Sequence, residues 1–294
     1  MSFSIGIVGL PNVGKSTLFK ALTRKPVDIG PYPFTTIKPN VGIIQVPDKR
    51  LEKIAQVIKP EKVTPTIIEF IDIAGLIKGS HKGEGLGNQF LAQIRNCHAV
   101  LQVVRAFEDS KVENVSGQIN PISDIETVKI EFELKDAEAE EEINLLTKKP
   151  VVYLLNIDGK TEYRKPEFDH LAINLKDEEE LFELSDAEKK ELCIESQLDR
   201  LILACYNILD LITFYTIAGG KEARAWTLKR GSDILEAGGK VHTDFREKFI
   251  RAEAIDWQKL AESGGWKEAR EKGLIQTVGK DYIVQDGEVI EFKI

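Results

Sequence analysis

Residues 9 to 17 read Gly9-Leu10-Pro11-Asn12-Val13-Gly14-Lys15-Ser16-Thr17 and match G-x-x-x-x-G-K-[ST] at every fixed position. The apolar run Ile5–Val8 before it predicts a buried strand, and Leu18–Leu22 after it predicts the opening of a helix. Strand, glycine loop and helix start in this order imply a ligand that carries a triphosphate. Gly9 and Gly14 let the backbone curl so that successive N–H groups face phosphate oxygens. The helix start adds partial positive charge. Lys15 is expected to reach the β- and γ-phosphates and the Ser16 hydroxyl to ligate Mg²⁺, with Asn12, Val13, Gly14, Lys15, Ser16 and Thr17 forming the cradle.

Three further segments extend the expected site. Ile67–Asp72 predicts a strand ending in Asp72-Ile73-Ala74-Gly75. Asp72 there can hold Mg²⁺ through water, and the Gly75 N–H can sense the γ-phosphate. Between the two strands lies Tyr32-Pro33-Phe34-Thr35-Thr36 in a Pro- and Gly-rich loop. A threonine so placed can ligate Mg²⁺ and swing away after hydrolysis, and Thr36 is preferred over Thr35. After Gly75 comes Leu76, followed by Gly79, Gly83, Gly85 and Gly87, a composition suited to a segment that orders on nucleotide binding. Leucine cannot orient water, so another group does so or hydrolysis waits for a partner. Lys15, Thr36 and Gly75 are the expected catalytic groups. His81 is a candidate substitute for the missing water-orienting side chain, against its reading as a solvated loop histidine.

The fourth segment is Val151–Leu155, an apolar strand followed by Asn156-Ile157-Asp158-Gly159. This is the position of the base-reading N-K-x-D pattern of GTPases. Asn156 can bond a purine N7, but the guanine-reading aspartate falls on Gly159. Asp158 sits one residue early, and a one-residue shift at a strand end points a side chain elsewhere.

These residues resemble the YchF/Obg-like ATPase family of Obg-related P-loop GTPases (TRAFAC class). The similarity extends to Lys82–Phe90, Val104–Asp109, Lys221–Thr227, Asp244–Glu253 and Gly279–Gly287. The resemblance implies a P-loop domain, an inserted helical coiled coil and a C-terminal TGS domain of β-grasp type. It also implies ATP binding in preference to GTP, slow hydrolysis and ribosome association. In the family a phenylalanine like Phe107 lies beside the base and an asparagine like Asn156 contacts it, with Ile157 adjoining, and Leu76 matches a hydrophobic replacement of the catalytic glutamine. Two departures stand out. The family pattern N-x-x-E meets Gly159 here. The family's coiled coil is also long, whereas Pro121 to Pro150 leaves about 30 residues, a helical span of at most about 45 Å.

The expected fold class is α/β: a P-loop NTPase fold, a mostly parallel sheet with helices on both faces, carrying a short helical insertion and a C-terminal β-grasp (TGS) domain. Strands Ile5–Val8, Ile67–Ile71, Val100–Val104 and Val151–Leu155 lack polar alternation, as strands covered on both faces do. Residues 1–120 and 150–208 are read as the nucleotide-binding (OBG-type G) domain, 121–149 as the insertion and 209–294 as the TGS domain. Ser123–Glu126 and Ser185–Glu188 read as capping boxes, and Cys193–Leu211 as one long helix. Beyond Thr213, short strands such as Phe214–Ile217 and Val289–Phe292 are expected, divided by Gly219-Gly220, Gly238-Gly239 and a hairpin at Asp286-Gly287. Trp226, Trp257 and Trp266 are read as core.

The chain has 40 Lys and Arg against 48 Asp and Glu, a net charge of −8, which argues against a nonspecific nucleic-acid binder and against DNA. Leu209 to Ile294 carries 14 basic and 15 acidic residues, so most of the excess lies in the first two-thirds. An RNA surface around Lys221, Arg224, Lys229 and Arg230 and an ordinary charged surface remain equal readings. Cys97, Cys193 and Cys205 show no metal spacing and suit a reducing cytosol. No signal peptide or membrane span is read, so a cytoplasmic, monomeric protein is expected. K⁺ held with the help of Asn12 is the second candidate cofactor. The competing functions are a slow ATPase switch, a GTP-specific GTPase, and a nucleotide-gated binding module with negligible hydrolysis.

Overall fold

The computed structural model describes residues 3–24, 40–73, 86–110, 112, 117–138, 144–185, 188 and 195–294, with residues 86–90 of the helix α3 (Leu86–Arg95) described by backbone alone. Thr35, Thr36, Gly75, Leu76, His81 and Cys193 lie outside the described residues. The chain divides into two compact units, Met1–Ile44 with Ile67–Leu209, and Gln45–Thr66 with Asp210–Ile294.

The first unit holds a six-stranded sheet in the order β2-β4-β1-β5-β6-β7. Its strands are β1 (Phe3–Val8), β2 (Val41–Gln45), β4 (Ile67–Asp72), β5 (Ala99–Ala106), β6 (Val151–Ile157) and β7 (Leu171–Ile173). β1 pairs in parallel with β4 and β5, and β6 in parallel with β5 and β7. Every residue of β5 is buried, because helices cover both faces. The register sets Ile7 beside Asp72, Val8 beside Gln102, and Ala106 beside Ile157, so the strand ends that carry the expected motifs emerge along one edge. That edge is where open α/β sheets bind ligands.

The helix expected as a separate insertion, α4 (Pro121–Ala137), belongs to this unit. Ile125 packs with Val104, Ala106 and Leu155 of the sheet, and Val128 and Phe132 are buried. Its cap is Asn120, whose side chain accepts from the Ser123 N–H. The cap therefore lies three residues before the predicted Ser123 cap, with Pro121 at the first turn, where its missing N–H costs nothing. After α4 the chain returns through a 3₁₀ turn, Leu146–Lys148. Asp136 closes this return by accepting from the Leu146 and Thr147 N–H groups at 2.9 and 2.8 Å. The Ser185–Glu188 box does form, with Ser185 N–H donating to Glu188 at 2.7 Å and Glu188 N–H to Ser185 Oγ at 3.3 Å.

The second unit is a β-grasp domain with an unexpected addition. Its sheet runs β11-β10-β12-β8-β9-β3. β8 (Leu211–Ala218) and β9 (Glu222–Lys229) form a hairpin through Gly219-Gly220, and β12 (Glu288–Lys293) lies parallel to β8. β10 (Arg251–Asp256) pairs antiparallel with both β12 and β11 (Gln276–Val278). One face of the sheet packs Ile212, Phe214, Leu228 and Ile290 against Ile234 and Ala237 of the helix Ile234–Val241. The other face packs Tyr215, Ile217, Ala223 and Val289 against Leu51, Ile54 and Leu260.

Leu51 and Ile54 come from α2 (Lys49–Ile58), in a segment expected to lie in the nucleotide-binding domain. Residues 45–66 instead join the second unit. β3 (Lys62–Thr64) adds a parallel strand to β9, and the two buried side chains of α2 contribute about 2 kcal/mol each. Asp48 caps α2 through the Arg50 N–H and accepts from the Tyr215 hydroxyl at 2.6 Å, while Arg50 pairs with Asp286 at 2.8 Å.

Other expectations are corrected here. Asp286-Gly287 is no hairpin turn. Asp286 accepts from the Thr213 N–H and the Gly287 N–H donates to the Thr213 carbonyl, so the pair clamps the approach to β12 onto β8. Gly238-Gly239 lies inside a helix, where a side chain at 238 would press on the Phe245 backbone at 3.2 Å. The long helix is shorter than read: the described part spans Leu198–Asn207 and gives way to β8 at Leu211, through Asp210 at φ 50°. The three tryptophans pack against the two cores as read. Cys97 and Cys205 are buried free thiols. No helix of the described residues is long and apolar enough to cross a membrane.

Candidate functional site: a nucleotide cleft

The glycine loop leaves β1 at Val8 and enters α1 (Lys15–Thr23). Gly9 has φ 151°, and a Cβ there would lie 2.3 Å from the Val103 carbonyl oxygen. Gly14 has φ 105°, and a Cβ there would meet Asn156 Nδ2 at 2.5 Å. Both positions therefore require glycine, for backbone angle and for space. No side chain caps α1, whose first-turn N–H groups are the donors an anion needs.

Lys15 is buried and its ammonium donates to the Gly9 and Leu10 carbonyls at 2.9 and 2.7 Å. This arches the side chain over the loop. Burial lowers its pKa to about 8, and the charge of Asp72 opposes that shift. Asp72 ends β4, and burial raises its pKa while Lys15 pulls it down. The Ser16 side is exposed at the helix start.

A cleft of about 1000 Å³ runs from this loop along the ends of β5 and β6. Asn12, Gly14, Lys15, Ser16 and Thr17 line one end; Phe107, Asn156, Ile157 and Asp158 line the other. The structure thus brings together the described members of the predicted site other than Asp72 and Val13; Asp72 does not line the cleft, though its charge acts on Lys15. Val13 does not line the cleft: its side chain is buried, and its carbonyl accepts from Asn156.

The polar side chains at the base end are engaged with the protein. Asn156 Nδ2 donates to the Val13 carbonyl at 3.0 Å and Asn156 Oδ1 accepts from the Leu175 N–H at 3.2 Å. It ties the glycine loop to the Asn174–Leu175 segment and keeps at most one amide proton for a base. Asp158 Oδ1 accepts from the Lys160 and Thr161 N–H groups at 2.9 and 2.8 Å. Its Oδ2 accepts from the Thr161 hydroxyl at 2.7 Å and the Glu108 N–H at 3.4 Å. Four donors fill the lone pairs of one carboxylate, and the bonds from Thr161 foremost hold its pKa far below the usual range. Asp158 is a loop brace. Gly159 adds no side chain, so no carboxylate of the Asn156–Gly159 segment is left for a guanine edge.

The model YchF-GTPase_C, described as a protein of unknown function (DUF933), matches residues 211–294, and MMR_HSR1, a 50S ribosome-binding GTPase, matches 4–157. The ribosome-binding ATPase YchF of Bacillus subtilis (strain 168) is 40% identical, with 100% of this chain and 99% of the relative covered.

The chain belongs to the YchF family.

The Escherichia coli O157:H7 YchF, also named a ribosome-binding ATPase, is 39% identical over 99% of each chain. The solved YchF GTPase of Schizosaccharomyces pombe superimposes with a TM-score of 0.85 at 30% identity, covering 99% of this chain and 98% of that one. The alignment with the Bacillus YchF runs over 364 positions against 294 residues here, so about 70 positions belong to the relative alone. Since both chains are covered almost throughout, that difference is internal.

Sequence reasoning missed three parts of the YchF site in this chain. Asn174 caps the helix α5 (Leu175–Leu181) and shapes the segment that meets Asn156. Its N-cap pattern, Asn-Leu-Lys-Asp-Glu, was available as a signal. Thr161 braces Asp158 with no motif to announce it. Glu179 pairs with Lys20 and Arg24 at 2.7 and 3.2 Å, tying α5 to α1.

Proposed function

We propose that this YchF protein is a nucleotide-dependent switch that binds and slowly hydrolyses ATP to ADP and phosphate while associated with the ribosome. The observation that carries the ATP reading is the filled carboxylate of Asp158 beside Gly159, which leaves the guanine N1–H and 2-amino group without the acceptor that GTPases supply. The names of the Bacillus and Escherichia relatives support ATP hydrolysis and ribosome binding. The glycine loop supports triphosphate binding through its uncapped helix start and arched Lys15.

The donor set suits Mg²⁺. Among the described residues no group of three or more His, Cys, Asp or Glu could hold a metal, and Mg²⁺ in a glycine loop needs none, since phosphate oxygens and water complete its shell. Ser16 and Thr36 would ligate it, with Asp72 acting through water. When bound, Mg²⁺ neutralises charge on the β- and γ-oxygens. Lys15 supplies the second positive charge there, the α1 N–H groups orient the phosphates, and the Gly75 N–H reports the γ-phosphate to the following segment. With leucine at position 76, attacking water is oriented by another group, His81 or a ribosomal partner, and intrinsic turnover is slow. K⁺ beside Asn12 would add charge, and faster turnover in K⁺ than in Na⁺ tests it. The protein works in the cytoplasm as a monomer, without DNA or membrane.

Calorimetric titration with non-hydrolysable ATP and GTP analogues and Mg²⁺ tests the base preference. Tighter ATP binding is expected; tighter GTP binding returns the chain to the GTPases. The alternative, a binding module with negligible hydrolysis, is separated by Lys15→Ala. Ribosome binding that persists in this variant without nucleotide, together with rescue of a deletion strain, sinks the switch.

A further inference from the structure

Arg105 is 4% exposed at the end of β5, and it does not line the nucleotide cleft. A guanidinium in that position must find acceptors, since an unpaired buried charge is costly. It finds them in the loop that follows. Nε donates to the Phe107 carbonyl at 3.1 Å, Nη1 to the Val112 carbonyl at 3.1 Å and Nη2 to the Asp109 carbonyl at 3.4 Å. Its Cζ also lies 4.5 Å from the centroid of the Phe107 ring. Phe107, Asp109 and Val112 all line the cleft, so the arginine stands behind the wall that they form.

We propose that Arg105 is a positioning residue for the purine base, holding Phe107 as a cation-backed stacking platform that binds the base by its face. This deepens the nucleotide reading above and rests on it. The physical case has two parts. The planar fork of a guanidinium reaches three carbonyls from three separate nitrogens, whereas the three donors of a lysine fan out from one freely rotating nitrogen, and so the arginine fixes the backbone that carries the ring. The cation on one ring face leaves the other for the base, and stacking tolerates any base because each has a π-face. With Asn156 and Asp158 engaged as braces, face recognition is the contact that remains strong at this end of the cleft.

The test is calorimetric titration of the full chain and of Arg105→Gln and Arg105→Lys with three probes, each with Mg²⁺: a non-hydrolysable ATP analogue, the GTP analogue and inorganic tripolyphosphate. Arg105→Gln is expected to weaken both nucleotides about tenfold and to leave tripolyphosphate within about twofold. Arg105→Lys falls between, because charge stays and the fork is lost. In steady state KM rises and kcat holds. Equal weakening of tripolyphosphate overturns the proposal, since Arg105 then only supports the fold, and unchanged nucleotide affinity overturns it too. Should Arg105→Gln fail to fold, Phe107→Leu must show the same split between nucleotide and tripolyphosphate, and equal losses overturn the platform. If the wild-type chain binds none of the probes, the nucleotide reading itself fails, which is a separate result.

Discussion

The two ends of the nucleotide cleft are built in different ways. The phosphate end is one contiguous stretch, Gly9–Thr17, in which backbone donors, a helix start and one ammonium converge. The base end joins three loops, after β5, after β6 and before α5, and its polar side chains bond mostly to backbone groups of these loops and of the glycine loop. Phosphate binding is thus a local property of the chain, while base binding depends on how distant segments are held. Changes at the phosphate end should act on every triphosphate alike, and changes at the base end should spare a ligand without a base.

The largest effect is expected from Lys15→Ala. Loss of the charge-assisted bonds should weaken ATP, GTP and tripolyphosphate together by about a hundredfold, measured by calorimetry. Preserved tripolyphosphate affinity would break the comparison at its stronger end. Gly14→Ala comes next: its Cβ has 2.5 Å to Asn156 Nδ2 at a φ of 105°, so the glycine loop and its brace must part. A loss of about 2 kcal/mol of stability is expected by chemical denaturation, with weaker binding of all three ligands.

The pH dependence sharpens the same point. Burial has lowered the Lys15 pKa to about 8, so above that pH the free protein holds a neutral amine, and phosphate binding must first restore its proton. Affinity for Mg·ATP and for tripolyphosphate should be flat below pH 8 and fall about tenfold per pH unit above it, with proton uptake visible as buffer-dependent binding heats. A flat profile to pH 9.5 would mean that Lys15 keeps its charge. The smallest effect is expected from Asp158→Ala. A braced loop should loosen and cost both nucleotides about threefold at an unchanged ATP-to-GTP ratio. A shift in that ratio would show that Asp158 reads the base after all, and Asp158→Asn, which keeps an acceptor for the Lys160 and Thr161 N–H groups, should restore much of the affinity.

Much of this was legible in the chain. The glycine loop, Asp72 at a strand end and the buried strands of the first sheet follow from short patterns, because backbone angle, helix start and burial on both faces each leave a mark within a few residues. The break after β8 could be read from Gly219-Gly220 for the same reason. Other local signals misled. Asp286-Gly287 has the composition of a hairpin turn, yet its groups bond to Thr213. Asn156 lines the cleft, and no local pattern announces its bond to the Val13 carbonyl, 143 positions away.

The sequence by itself determined that the chain cradles a triphosphate and carries two α/β units, since those properties reside in contiguous backbone and in the periodicity of apolar residues. Only the tertiary structure decided that residues 45–66 belong to the second unit, that α4 lies on the sheet, and that Asp158 and Arg105 hold walls. The reason is physical: Asp48 reaches Tyr215 across 167 positions, and no local pattern of either residue specifies that bond. Such pairings are chosen by which buried donors and acceptors must be satisfied once the sheets have formed.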